Sequence, residues 1–174
     1  DVHTRLEEIR FEDGTLWDLT ENLILTDLDT GNSLYGSSEE DILTGRGGDD
    51  HLYGRAGNDT YIWTVGDGND TIDEGGGTDQ LVLHGVVADD IRFEVYPTNS
   101  LKINVGSESI ILTFQFHSLS TNNSYYDLYH VESLLLDDNT TIDLLDNLTF
   151  KGTNAAETIN GTKGNDILIG GLGN

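Results

Sequence analysis

Cysteine is absent from the chain, so no disulfide staples the fold and no thiolate holds a soft metal. Basic residues are scarce: 8 lysines and arginines face 32 aspartates and glutamates, a formal net charge of −24. Such a surface repels nucleic-acid phosphates and anionic lipid headgroups, which argues against nucleic acid as a partner. No apolar run is long enough to cross a bilayer, so no membrane insertion by this stretch is expected. A single proline accompanies 21 glycines. That excludes collagen, and the glycines alternate with apolar residues rather than crowding among serines as in a flexible linker. A fold without disulfides needs another staple, and a bound cation suits the charge.

What the chain does have is a period. The stretch GRGGDDHLYGRAGNDTYIW, Gly45 to Trp63, contains Gly45-Arg-Gly-Gly48-Asp-Asp50 and, nine residues on, Gly54-Arg-Ala-Gly57-Asn-Asp59. The frame also holds Gly36–Asp41 and, after an insertion of Trp63 and Thr64, Val65–Asp70 and Glu74–Asp79. A weaker copy, Asp27–Asn32, comes first. The eighth position of each nonapeptide is always apolar: Leu34, Leu43, Leu52, Tyr61, Ile72 and Leu81. Nine residues are too few for a helical repeat and too regular for a linker.

A longer period overlies the first. A shift of 125 aligns residues 1–49 with 126–174 without a gap. Glu7, Asp13, Asp18, Leu19 and Asn22 fall on Glu132, Asp138, Asp143, Leu144 and Asn147, and Gly36, Asp41 and Gly45 on Gly161, Asp166 and Gly170. The chain therefore reads as a little more than one unit of a tandem array. Residues 1–26 are expected to be the tail of a preceding flanking module, 27–82 the repeat block, 83–151 a flanking β-domain and 152–174 the first repeats of the next block. Period-two alternation in Ile91–Val95, Leu101–Val105 and Ile110–Phe116 predicts strands. In the last, Ile110, Leu112, Phe114 and Phe116 would share a face. Turn chemistry at Glu12–Thr15 and Asp137–Thr140 predicts hairpins, and one short helical turn is expected near Asp143–Leu148.

A six-residue turn followed by a three-residue strand makes half of a flattened coil, with one inward side chain per strand. Glycine lets the turn take positive φ and brings carbonyls together. Aspartate closes it with a hard oxygen. Carbonyls with a few carboxylates are what calcium takes, whereas zinc and copper favour imidazole or thiolate. If one repeat is half a coil, turns two repeats apart stack: Asp27–Asn32 on Gly45–Asp50, Gly36–Asp41 on Gly54–Asp59, Gly45–Asp50 on Val65–Asp70, and Gly54–Asp59 on Glu74–Asp79. One aspartate in a glycine-rich turn reads most simply as an Asx turn. Five in one frame do not.

These nonapeptides resemble the RTX calcium-binding repeat, G-G-x-G-x-D-x-U-x, and LEEIRFEDGTLWDL resembles the closing strands of the haemolysin-type calcium-binding related domain. The resemblance implies an all-β fold, a right-handed parallel β-roll joined to an antiparallel β-sandwich-like flank. It further implies that one turn of each stack offers carbonyls from odd positions, and the other offers even-position carbonyls plus its aspartate. Carried over, the ligands are Asp27, Asp29 and Gly31 with Arg46, Gly48 and Asp50; Gly36, Ser38 and Glu40 with Arg55, Gly57 and Asp59; Gly45, Gly47 and Asp49 with Gly66, Gly68 and Asp70; and Gly54, Ala56 and Asn58 with Gly75, Gly77 and Asp79. About three to four calcium ions would be held. Gly36–Asp41 lacks the second and third glycines of the pattern.

The implied function is that of a calcium-binding module, not an enzyme, in a secreted bacterial protein that folds on calcium outside the cell after type I secretion. Its partners would be calcium, neighbouring modules of the array and the secretion apparatus. An alternative is a calcium-dependent adhesion or glycan-binding module of a surface protein, for which Tyr125, Tyr126 and Tyr129 would be the platform. His3, His51, His84, His117 and His130 show no ligand spacing. Asp27–Ser38 fails as an EF-hand, with Asn32 sixth and Ser38 twelfth, and no catalytic triad or phosphate loop is present.

Overall fold

The computed structural model describes residues 8–10, 12–14, 16–18, 22–115, 130–153, 155, 158–162 and 165–172. His3, Phe116, His117 and the tyrosines at 125, 126 and 129 lie outside them.

Alternate repeats supply alternate layers. β3 (Ile24–Thr26), β5 (Ile42–Thr44), β7 (Thr60–Thr64) and β9 (Asp79–His84) line up in parallel in one sheet. β4 (Ser33–Tyr35), β6 (His51–Arg55) and β8 (Asn69–Glu74) do so in the other. Ile24 pairs with Ile42 and Ile42 with Thr60, steps of 18 residues, so one nonapeptide is half a coil. From Thr60 to Gln80 the step is 20. The inserted Trp63 and Thr64 are the cause: strands lengthen from the three residues of β5 to five in β7 and six in β9. Each longer strand turns a second side chain inward, Trp63 on β7 facing Leu83 on β9 across the ladder.

The eighth-position residues form the core. Leu25, Leu43, Tyr61 and Leu81 stack along one sheet, and Leu34, Leu52 and Ile72 along the other. Leu43, Tyr61 and Leu81 are fully buried. A fully buried side chain of this kind contributes about 1.5–3 kcal/mol, so a coil with one or two per strand is stable only against its neighbours.

The flank shares both layers with the roll. β12 (Glu108–Leu112) lies parallel to β8, and β11 (Ser100–Val105) and β10 (Ile91–Tyr96) follow antiparallel. In the other sheet β13 (Val131–Leu136) lies parallel to β9 and β14 (Thr141–Asp143) returns against it. Leu112 thus sits on Ile72 and Leu134 on Leu81, extending both core ladders without a break.

The 125-residue period is visible in the strands. β1 (Glu8–Arg10) pairs β2 (Leu16–Asp18) in the register by which β13 pairs β14: Glu8↔Asp18 against Ser133↔Asp143. Both hairpin turns carry positive φ at the equivalent residue, Gly14 (89°) and Asn139 (64°). β15 (Thr149–Lys151) and β16 (Ile167–Ile169) repeat the parallel pairing of β3 and β5. Phe150 on β15 packs edge-on against Phe93 of β10, ring centroids 6.4 Å apart.

Two expectations are corrected. Residues 144–146 form a bend rather than a helical turn; Asp143 Oδ1 accepts the N–H groups of Leu145 and Asp146, and that side-chain bond replaces the helical one. β12 stops at Leu112, and Phe114, at φ 54°, is 45% exposed instead of continuing the apolar face. Gln115 is buried in its stead, its side-chain amide bonded to both N–H and C=O of Val131.

Candidate metal centre

All four expected pairs of turns stack. His51 N–H donates to Asn32 O, Thr60 N–H to Asp41 O, Thr71 N–H to Asp50 O and Gln80 N–H to Asp59 O, at 2.8–2.9 Å. The approach is close enough to require glycine. A methyl group on Gly77 would strike Gly57 O, and one on Gly68 would strike Gly48 O.

The aspartates join the coils into two hydrogen-bonded ladders. On one edge Leu23 N–H donates to Asp41 Oδ1 (2.6 Å), Asp41 N–H to Asp59 Oδ1 (2.8 Å) and Asp59 N–H to Asp79 Oδ1 (2.7 Å). On the other, Asn32 N–H donates to Asp50 Oδ1 (2.7 Å) and Asp50 N–H to Asp70 Oδ1 (2.9 Å). One oxygen of each carboxylate is thereby committed. Asp50, Asp59 and Asp79 keep the other oxygen, Oδ2, buried and without a hydrogen-bond partner. A buried, unpaired carboxylate oxygen is costly unless a proton or a cation satisfies it. The donor set of backbone carbonyls and carboxylates is that of a hard cation such as calcium, so the residues fit the metal.

The turns are not equal. Arg46 (φ 59°) and Arg55 (φ 77°) stand at the second position, where the repeat pattern has glycine, in the left-handed region. Ser37, at that position of the Gly36–Asp41 turn, is not among the positive-φ residues. It donates its N–H to Asp41 Oδ2 and its hydroxyl to Oδ1 (3.1 Å), filling that carboxylate with hydrogen bonds. Asp27 accepts from Leu28 N–H (2.6 Å) and Asn32 Nδ2 (2.7 Å) within its own turn. Of the other residues expected to serve these two turns, Asp29, Ser38 and Glu40 are exposed, and Gly31 abuts the Asp49 carbonyl. Further bonds join Gly45–Asp50 to Val65–Asp70 and Gly54–Asp59 to Glu74–Asp79. There Asn69 N–H also reaches Asp49 Oδ1, and Thr78 N–H reaches Asn58 Oδ1, both at 2.9 Å.

One acidic residue of the centre was not foreseen. Glu74 occupies the first position of its turn, a slot the repeat reserves for glycine, and it is 4% exposed. Its signal in the sequence is that mismatch alone. Tyr61 Oη donates to Glu74 Oε2, and the N–H groups of Gly75 (2.6 Å) and Gly76 (3.0 Å) donate to Oε1. Burial pushes Asp59 up to about 6, and Asp70 and Glu74 to about 7. Asp79 rises to about 8, through burial and then the charge of Glu74. Burial and the same carboxylate raise the Tyr61 hydroxyl well above its usual range, so it stays a donor.

His51 is half-buried and stacked on Tyr53, ring centroids 4.1 Å apart, rather than fully solvated as its outward position suggests.

The RTX calcium-binding nonapeptide repeat family matches the chain in four copies, over residues 28–61 and 151–174. No curated protein matches significantly. The coil itself runs on in frame past the first matched stretch, through Val65–Asp70 and Glu74–Asp79. Glycine–aspartate turns at half-coil spacing, joined by aspartate ladders and matched by that family over those two stretches, show that this chain carries RTX calcium-binding nonapeptide repeats.

Proposed function

We propose that the module folds on calcium outside the cell, and that its four stacked turn pairs hold about three to four ions. The observation that carries this reading is the set of buried, unpartnered Oδ2 atoms of Asp50, Asp59 and Asp79. The carbonyls and aspartates named above complete the ligand sets, with Asp50, Asp59, Asp70 and Asp79 supplying the charge. Without metal, close carboxylates repel by roughly 1 kcal/mol per pair at contact even in water, and by more where water is excluded. Where free calcium is low the roll stays open, a state suited to threading a type I secretion channel. Extracellular modules bind calcium with Kd on the order of 10⁻⁴–10⁻³ M, so ambient calcium outside the cell suffices. The module is a binding and folding unit rather than an enzyme, and residues 27–82, 83–151 and 152–174 are roll, flank and start of the next roll. Among the described residues no helix is long and apolar enough to cross a membrane.

Circular dichroism of the whole chain, first with chelator and then with millimolar calcium, tests the reading. Gain of β-structure is expected with calcium. Magnesium at the same concentration should substitute poorly, because it demands near-octahedral geometry and gives up water reluctantly. A spectrum indifferent to calcium, or equal folding in magnesium, would overturn the proposal.

A further inference from the structure

We propose that Glu74 is itself a metal ligand: with Asp59 and Asp79 it forms a three-carboxylate site for a hard divalent cation, the tightest of the roll. This rests on the calcium reading above and departs from the repeat pattern, in which the first position of a turn is glycine.

The geometry comes first. One carboxylate oxygen from each of Asp59, Glu74 and Asp79 lies within 4.8 Å of the other two. Calcium binds oxygen at about 2.3–2.6 Å, so two oxygens on one ion lie at most about 5 Å apart. All three residues are at least nine-tenths buried. A methyl group on Gly54 would strike Asp59 Oδ2, Glu74 Oε2 and Tyr61 Oη together. Glycine at position 54 is what leaves room for the cluster.

Hydrogen bonding leaves the cluster incomplete. Glu74 has donors in Tyr61, Gly75 and Gly76, but Asp59 Oδ2 and Asp79 Oδ2 have none. Nor is a basic side chain seen paired with these carboxylates among the described residues; the ion pairs His84–Asp137 and Lys151–Asp89 lie elsewhere. A purely structural Glu74, accepting from Tyr61 in the core, accounts for its own oxygens and leaves those two unexplained. A cation shared by the three carboxylates accounts for all of them.

Carboxylate count and rigidity tune calcium affinity. The neighbouring stack pairs Asp50 with Asp70 as this one pairs Asp59 with Asp79, and this one adds Glu74. It also adjoins the flank, where Asp79 N–H donates to Glu132 Oε2 (2.6 Å) and β13 pairs β9. The first ion to bind therefore orders the roll from its flank end.

Calorimetric titration of the whole chain with calcium is the test, with the fold followed by circular dichroism. Wild type should show a tight class of about one ion ahead of a weaker class. Glu74→Gln, similar in shape but able to accept either from Tyr61 or from Gly75 and Gly76 and not from both, should weaken the tight class on the order of tenfold or more and leave the weaker class in place. Tyr61→Phe keeps the carboxylates and should leave the tight class standing. Equal weakening by the two variants would mean a structural Tyr61–Glu74 pair and would overturn the proposal, as would a Glu74→Gln isotherm identical to wild type. Should Glu74→Gln not fold, terbium decides. Its first equivalent should luminesce on tyrosine excitation in the wild type and dim in Tyr61→Phe, and unchanged emission places the first ion elsewhere. A wild type that binds no calcium at all would refute the underlying reading instead.

Discussion

The N–H of Asp79 donates to Glu132 Oε2 at 2.6 Å, and Leu144 N–H donates in turn to Glu132 O at 2.9 Å. Glu132 belongs to the flank, yet it takes the place that the next repeat's aspartate would hold, accepting from Asp79 as Asp79 accepts from Asp59. The flank thus ends the ladder with a borrowed carboxylate, while β12 and β13 cover the edges of β8 and β9 that a bare roll would expose.

A solenoid with an open end self-associates or frays. Residues 27–82 alone lose Glu132 and the apolar cover of Leu112 and Leu134. We expect that fragment to need several times more calcium to fold than the whole chain, or to self-associate, as followed by circular dichroism and gel filtration. In the whole chain Glu132→Ala should raise the calcium midpoint more mildly, since a part-buried hydrogen bond to a charged group contributes about 1.5–3 kcal/mol. Equal folding by fragment and whole chain would show that the flank does not cap.

Acid should mimic calcium. The carboxyls of Asp59, Asp70, Glu74 and Asp79 have folded-state values of about 6, 7, 7 and 8, above the ordinary carboxylate range. A raised folded value means that the native state binds more protons than the unfolded chain, so stability falls as pH rises. The contribution is complete below about pH 4, where both states are protonated, and it is lost as pH climbs through 6 to 8. In chelator, β-structure should therefore be greatest in mild acid and least at pH 8. In calcium the trend reverses, because metal and protons compete for the same oxygens: the calcium midpoint should fall between pH 5 and pH 8. A metal-free spectrum flat across that range would contradict the burial of these groups.

Arg55 holds φ at 77° at a position where the repeat has glycine. A left-handed residue with a Cβ costs about 1–2 kcal/mol, offset in part by the extra freedom that glycine gives the unfolded chain. Arg55→Gly should lower the calcium midpoint, by up to about twofold when the difference is spread over three to four ions, despite losing the guanidinium over the Tyr35 ring. Arg55→Ala separates the causes, since it removes the charge and keeps the strain. If alanine and glycine shift the midpoint equally, charge rather than backbone is the reason.

The half-coil, its stacking partners and the 125-residue repeat were legible because each is a matter of period, and period survives in a one-dimensional string. Tyr61 announces its burial by falling in the eighth slot. Three things were not legible. Glu74 looks like an imperfect glycine slot, and its inward turn depends on the space left by Gly54, twenty residues earlier. The commitment of Asp41 to Ser37 depends on the backbone of one turn, which glycine–aspartate spacing does not encode. The end of β12 at Leu112 arises from tertiary demand, since Gln115 must reach the backbone of Val131. Alternation across Phe114 carries no trace of that.

Asp59 and Asp166 have equally good local motifs, and they separate stacked turns from isolated ones. Asp59 Oδ1 accepts from the buried N–H of Asp41, its own N–H reaches Asp79, and its turn lies between two others. Asp166 closes its turn through the N–H (2.6 Å) and hydroxyl (2.8 Å) of Thr162. Its Oδ1 is also buried and unpartnered, so an orphan oxygen does not by itself distinguish the two. The neighbour does. The turn before Asp166 stacks on the stretch ending at Leu148, whose carbonyl accepts from Ile167, and that stretch is a bend without the glycine carbonyls of a repeat turn. Asp59→Ala removes a ladder bond and a ligand together. At about 1.4 kcal/mol per tenfold in an equilibrium constant, loss of one charge-assisted hydrogen bond of about 1.5–3 kcal/mol, spread over about three to four ions, raises the calcium midpoint about two- to fivefold, and loss of the ligand adds to that. Asp166→Ala should move it hardly at all. Calcium titrations of both variants, followed by circular dichroism, decide the matter, and equal shifts would mean that the pairing of turns two repeats apart does not govern where calcium binds.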